Sequence, residues 1–297
     1  MRLPLTRVSA LLALLGMAAL APAQVSLEYI GDAPTAGAPP TETTTTGAKI
    51  TVATVWPPVH AIAHALAKGT PLEVARIPMT GSVPEREALR AHCEEVLPGL
   101  SAILTLGSAW PADPSYPAAR AARIQTIEID ATRPLDGGGG IAMIPGASGE
   151  SSGGPSLFWL SLENLSRMSE ILARDFARLM PDAEATISAN LARLKQDLRA
   201  LSLFASQTLE DAAFGELADP DGQFAYLLQS LGLRAEPNPS ASAPRLGRAA
   251  SSDAEAVPLH TLLEGIDEDA PWPSLLELYR ENIEKLAATL ASEPVSP

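Results

Sequence analysis

From residue 49 onward, short β-branched and aliphatic runs alternate with stretches whose apolar positions fall three and four apart. Residues 49–55 (KITVATV) read as a strand that stops at Trp56-Pro57-Pro58, and residues 60–67 (HAIAHALA) as a helix carrying Ile62 and Leu66 on one face. A second strand is expected over 72–77, a helix with proline in its first turn over 84–96, and a third strand over 101–106. A short Ala/Arg helix and a fourth strand, 125–129, follow. Strands separated by helices at this spacing predict a parallel sheet with helices on both faces.

The second half of the chain opens with longer helical stripes. Leu165, Met168, Leu172 and Phe176 line a helix over 162–179, and beyond Pro181 the residues Ile187, Leu191, Leu194, Leu198 and Leu201 line another over 183–209. A helix of that length spans about 40 Å, enough to brace two lobes. The same stripe also fits a short dimerisation seam, although it lasts only about two to three heptads. Residues 212–217 and 255–259 then read as strands, 223–231 and 271–291 as helices, and 237–252 as a loop. The Gly/Ser-rich stretch 136–155 reads as a mobile connection, since its glycines lack the strand-to-helix setting of a dinucleotide-binding turn. The expected architecture is α/β. It has two lobes, each a mostly parallel sheet flanked by helices, joined by one long bracing α-helix and divided as 49–158, 159–209 and 210–292.

Ahead of this region, Arg2 and Arg7, the apolar run 8–20 and Ala21-Pro22-Ala23 have the form of a secretory signal cleaved before Gln24. The apolar run is short for a membrane span, and no cysteine follows the cleavage site to be acylated. Residues 24–48 form a leader, rich in Pro, Thr, Gly and Ala from Gly31 on, too poor in bulky apolar groups there to order itself. The expectation is a soluble periplasmic protein, not a lipoprotein. With 21 Lys and Arg against 35 Asp and Glu, the net charge of -14 argues against nucleic-acid or anionic-membrane partners. Cys93 is the only cysteine, so no internal disulfide can form. Its neighbour His92 points away from it on the same helix, and no nucleophile elbow is present, so no hydrolase assembles.

Several strings resemble the metal-binding solute-binding proteins of ABC transporters, the periplasmic zinc and manganese uptake family. ITVATVWPPVHAIAHAL is similar to the family's first strand, proline turn and helix. The stretch from Trp159 to Leu201 is similar to its segment running from an N-P-H-x-W-L-type motif into the long linking helix. DGQFAYLLQSLGL and LYRENIEKLAATLA resemble later segments. The resemblance implies a monomeric binding protein rather than an enzyme, with no cofactor. It would capture one divalent metal ion between its lobes and deliver it to an ABC permease in the inner membrane.

It also implies where ligands should lie. The positions the family fills with three histidines and a carboxylate hold Glu85, Leu157, Asp221 and His260 in this chain. Leu157 offers a metal nothing, whereas Glu85, Asp221 and His260 would suit zinc, manganese or iron if they converge. Glu85 and Asp221 are equally explained as residues favouring helix N-termini. His60 and His64, one helical turn apart, form a further candidate pair, with His60 the better placed after the first strand. Trp56, Trp110, Trp159 and Trp272 either line a cleft or pack the lobes.

Overall fold

A computed structural model describes residues 49–297, apart from 80, 82, 146, 148–153, 211–215, 250–252, 254 and 293–297. The expected export signal, its cleavage site and the whole of the expected leader, 24–48, lie outside the described residues. No helix among those described is long and apolar enough to cross a membrane.

Four strands, β1 (Ile50–Thr54), β2 (Leu72–Arg76), β3 (Leu100–Thr105) and β4 (Ile127–Asp130), form one parallel sheet in the order β2-β1-β3-β4. The central strands β1 and β3 carry near-continuous apolar runs, as strands covered on both faces require: Val52, Ala53, Ala102, Ile103 and Leu104 are all fully buried. Between the strands run α1 (Pro57–Ala67), α2 (Arg86–Glu95) and α3 (Ser115–Ala122). Prolines at the first two positions of α1 start it at once after β1, because their missing N–H groups are not needed there.

The two long helices fall where the apolar stripes put them. They are α4 (Leu162–Leu179) and α5 (Glu184–Glu210), separated by a 3-10 turn at Pro181–Ala183. Ser161 caps α4 by accepting from the Asn164 amide. The buried stripe of α5 is Ile187, Asn190, Leu194, Leu198, Leu201 and Ala205. Asn190 is the polar member, and its Nδ2 donates to the Leu66 and Lys68 carbonyls at 2.9 and 2.8 Å. This satisfies two of the carbonyls orphaned at the end of α1.

The smaller sheet departs from expectation. Among the described residues it consists of β5 (Leu246–Arg248) and β6 (Val257–Leu259), paired in parallel, with an isolated bridge from Ala218 to Arg245. β5 therefore lies inside the stretch expected as a loop, while most of the expected strand 212–217 falls outside the described residues. Helices α6 (Ala225–Ser230) and α7 (Pro271–Ser292) complete this half.

Side-chain hydrogen bonds stitch these parts together. Asn282 of α7, fully buried, accepts from the His260 amide at 2.7 Å and donates to the His260 carbonyl at 2.9 Å. Trp272 at the start of α7 donates to Asp197 of α5 at 2.9 Å. Cys93 is buried on α2, and burial pushes its thiol up to about 11.

Candidate functional site

In parallel sheets the loops after the strands converge at the carboxyl edge, where ligands of open α/β folds bind. Here that edge of the larger sheet is closed by aromatics. Trp56 follows β1, is fully buried, and donates through Nε1 to Asp113 at 3.0 Å. It meets Trp110 edge to face at 5.6 Å and Trp159 at 6.1 Å. Phe158 and Trp159 occupy a 3-10 turn (Phe158–Leu160), 5.0 Å apart and fully buried. Trp159 reaches across and donates to the Thr261 carbonyl beyond β6 at 2.8 Å. Trp56 and Trp159 thus join the two halves as packing, whereas Trp272 serves the separate α5–α7 contact.

The positions considered as metal ligands are dispersed into other roles. Glu85 caps α2, its carboxylate accepting from the Glu87 and Ala88 amides at 3.2 and 2.8 Å. Glu85→Ala is expected to cost about 1 kcal/mol in urea denaturation, the usual loss for a removed N-cap. Leu157 is 4% exposed and belongs to the core. His60 is 4% exposed in the first turns of α1, with its Nδ1 buried and without a hydrogen-bond partner. Burial, helped by the nearby charges of His64 and Arg76, lowers its pKa to about 4. His64 lies 5.9 Å from it, ring to ring, on the exposed side.

Asp221 and His260 line two neighbouring cavities. One, of about 40 Å³, is walled by Gly81, Arg248, Ala249, His260, Thr261, Leu263 and Glu264, and has room for one water or one bare ion. The other, of about 370 Å³, includes Asp219, Asp221, Gln223, Arg245, Arg248 and Glu264. Neither is lined by Glu85 or His60. Among the described residues, no three His, Cys, Asp or Glu side chains are grouped where they could hold a metal ion. The four positions are not brought together here.

What the arrangement does hold is a fixed positive charge. Arg248, at the end of β5, lines both cavities and donates through Nε to the Gln223 side chain at 2.8 Å. Its guanidinium opposes a cation placed beside it, while Glu264 in both walls and Asp219 and Asp221 in the larger cavity favour one. His260 is also engaged: its Nε2 sits 2.8 Å from Glu281 and 3.1 Å from Lys285. The bond to His260 holds the Glu281 carboxyl below the usual range. Two residues beyond His260, buried Leu262 adopts φ 62°, a left-handed conformation that an aliphatic residue takes only when its surroundings impose it.

Sequence reasoning missed Arg248, because Leu-Gly-Arg is too short and too glycine-rich to read as a strand. It also missed a carboxylate group at the end of β3 and β4. Asp113 accepts from the Leu106 and Ser115 amides, and Asp130 from the Ser108 and Thr132 amides. Glu128 accepts from Thr105 at 2.8 Å, and burial raises its pKa. Asp113 and Asp130 tie down loops, and their spacing after predicted strands was the available signal.

Comparison with known proteins decides the fold. No family model matches the sequence, and no curated protein does. Solved structures do match: the SBP FpvC of Pseudomonas aeruginosa in complex with Ni2+ has TM-score 0.63 at 16% identity, covering 84% of this chain and 99% of that one. The chain has the fold of the periplasmic metal-binding solute-binding proteins. A periplasmic metal-binding protein of Candidatus Liberibacter asiaticus matches at TM-score 0.60 and 17% identity, covering 82% and 100% of the two chains. ZnuA matches at TM-score 0.56 and 18% identity, covering 81% and 98%. The parallel sheet flanked by helices and the long helix α5 agree with that fold.

Proposed function

We propose that this chain is the solute-binding component of an ABC transporter, a binding protein and not an enzyme. In this reading residues 1–23 direct it to the periplasm, and lobes spanning 49–158 and 210–292 are joined through 159–209. Its cargo class is a divalent metal ion, zinc or manganese, passed to a permease in the inner membrane. The observation that supports this most is the nearly end-to-end likeness to solute-binding structures, two of them FpvC with Ni2+ and with Mn2+. Glu85, Asp221, His260 and His60 are the donors such an ion would draw on. Gathering them requires the two halves to close around the small cavity and Arg248 to swing out.

A second reading has its own observation. Leu157 in the core, Glu85 on a helix cap and Arg248 in the cavity walls fit a scaffold that no longer takes a metal and serves as an interaction module. Calorimetric titration of the chain from Gln24 onward with Zn2+ and Mn2+ separates the two. The metal reading expects one site per chain, weakened at least about tenfold by His260→Ala, since loss of one good ligand costs more than 1.4 kcal/mol. Binding no tighter than that of scattered surface carboxylates, and indifferent to His260→Ala and Glu85→Ala, selects the second.

A further inference from the structure

A groove of about 770 Å³ lies between β2, the end of α1, the middle of α5 and the start of α7. It is larger than either cavity described above and is lined by none of Glu85, Asp221, His260 and His60. Sites for small organic molecules typically enclose about 300–1,000 Å³, so a groove of this size is far roomier than a bare ion needs. Leu72, Val74, Leu194 and Trp272 give it an apolar wall. Trp272 is fixed there by its bond to Asp197 at 2.9 Å, and Leu194 by its place in the buried stripe of α5. The wall is formed before any ligand arrives.

The polar groups of the groove say what it takes. Arg193 donates through Nη1 to Asn190 Oδ1 at 3.0 Å, and Asn190 in turn donates to the Lys68 carbonyl at 2.8 Å. Asn190 thereby ties Arg193 to the turn that carries Lys68. Among the described residues, the Nε–Nη2 edge of Arg193 and the Lys68 ammonium have no partner. That guanidinium edge presents two parallel N–H groups, the fork that grips a carboxylate in bidentate fashion. The acidic groups of the groove are mostly committed elsewhere: Glu73 pairs with Lys49 at 2.8 Å and Asp197 accepts from Trp272. Asp269 alone among the lining carboxylates makes no ion pair or side-chain hydrogen bond among the described residues, and it disfavours a second negative charge on a ligand. Two free cations beside a preformed apolar wall fit one carboxylate on an apolar body.

We propose that this groove binds an amphipathic monocarboxylate, its carboxylate on Arg193 and Lys68 and its apolar body along Leu72, Val74, Leu194 and Trp272. The chain then carries a small-molecule site separate from the positions considered for a metal. Arg193 selects the acid and the wall selects its apolar body.

Calorimetric titration of the chain from Gln24 onward with octanoate, octanol and octylammonium tests this, using the natural chain, Arg193→Gln, Lys68→Gln and the double variant. Arg90→Gln, which removes an exposed cation from α2, is the control for charge alone. Arg193 and Lys68 are exposed, so the fold is kept, which circular dichroism checks. The expected result is one octanoate per chain, bound at least about tenfold more tightly than the alcohol or the cation, weakened at least about tenfold by Arg193→Gln and unchanged by Arg90→Gln. No saturable binding of octanoate, several weakly held molecules per chain, or equal affinity for acid and alcohol would overturn the proposal. Binding that survives the double variant, or that falls as much with Arg90→Gln, would overturn it too, because the acid would then be held elsewhere or by net charge.

Discussion

Trp159→Ala destabilises the protein by about 3–5 kcal/mol, the cost of emptying a large, fully buried aromatic site. The indole touches both halves of the molecule: Trp56 and Phe158 on one side, the Thr261 carbonyl on the other. Removing it leaves a void too enclosed to collapse and a carbonyl without its donor. Trp159→Phe keeps most of the apolar volume and loses the hydrogen bond, so it should cost less, about 1–3 kcal/mol. Urea denaturation followed by circular dichroism measures both. A loss below about 1 kcal/mol for the alanine variant would mean the seam is not a structural joint. A packed seam also limits how far the parts of the chain it joins can separate.

The second large effect depends on pH. Folding holds His60 at about 4 against an ordinary 6.5. Between those values the unfolded chain takes up a proton that the folded chain refuses, so stability is present above pH 6.5 and falls as the pH drops toward 4. A shift of that size corresponds to a loss of about 3 kcal/mol between pH 7 and pH 4. Glu128, Asp175 and Asp219, whose carboxyls burial pushes upward, work in the opposite direction and offset part of the loss. The quantity to read is therefore the difference between the natural chain and His60→Phe. Thermal melts from pH 7 to 4 should show a shallower fall for the variant. Parallel curves would show that His60 is not held neutral by the fold.

Much of the architecture was legible because it rests on period and punctuation. The β-branched run before Trp56-Pro57-Pro58 placed β1 within a residue at each end, although α1 begins at Pro57, three residues before the expected start, and the leucine spacing after Pro181 predicted α5 within a residue at each end. β5 was hidden, since three residues with a central glycine carry no period to read. The candidate site was legible only as positions. Sequence could mark Glu85, Asp221, His260 and His60, but not that Glu85 is held by the Glu87 and Ala88 amides or that His60 is sealed in. Whether donors converge is set by tertiary packing, such as the Trp159 bond to the Thr261 carbonyl and the bonds of Asn282 to His260 and of Arg248 to Gln223, which no local pattern announces.

The single cysteine has a consequence for handling in oxidising surroundings. Only the thiolate attacks a disulfide, and a thiol shifted to about 11 and screened by α2 and its neighbours supplies almost none at neutral pH. Folded molecules should therefore resist mixed disulfides with glutathione or with one another. Alkylating reagents would then label Cys93 only as fast as the chain opens, making its modification rate a clock for local unfolding.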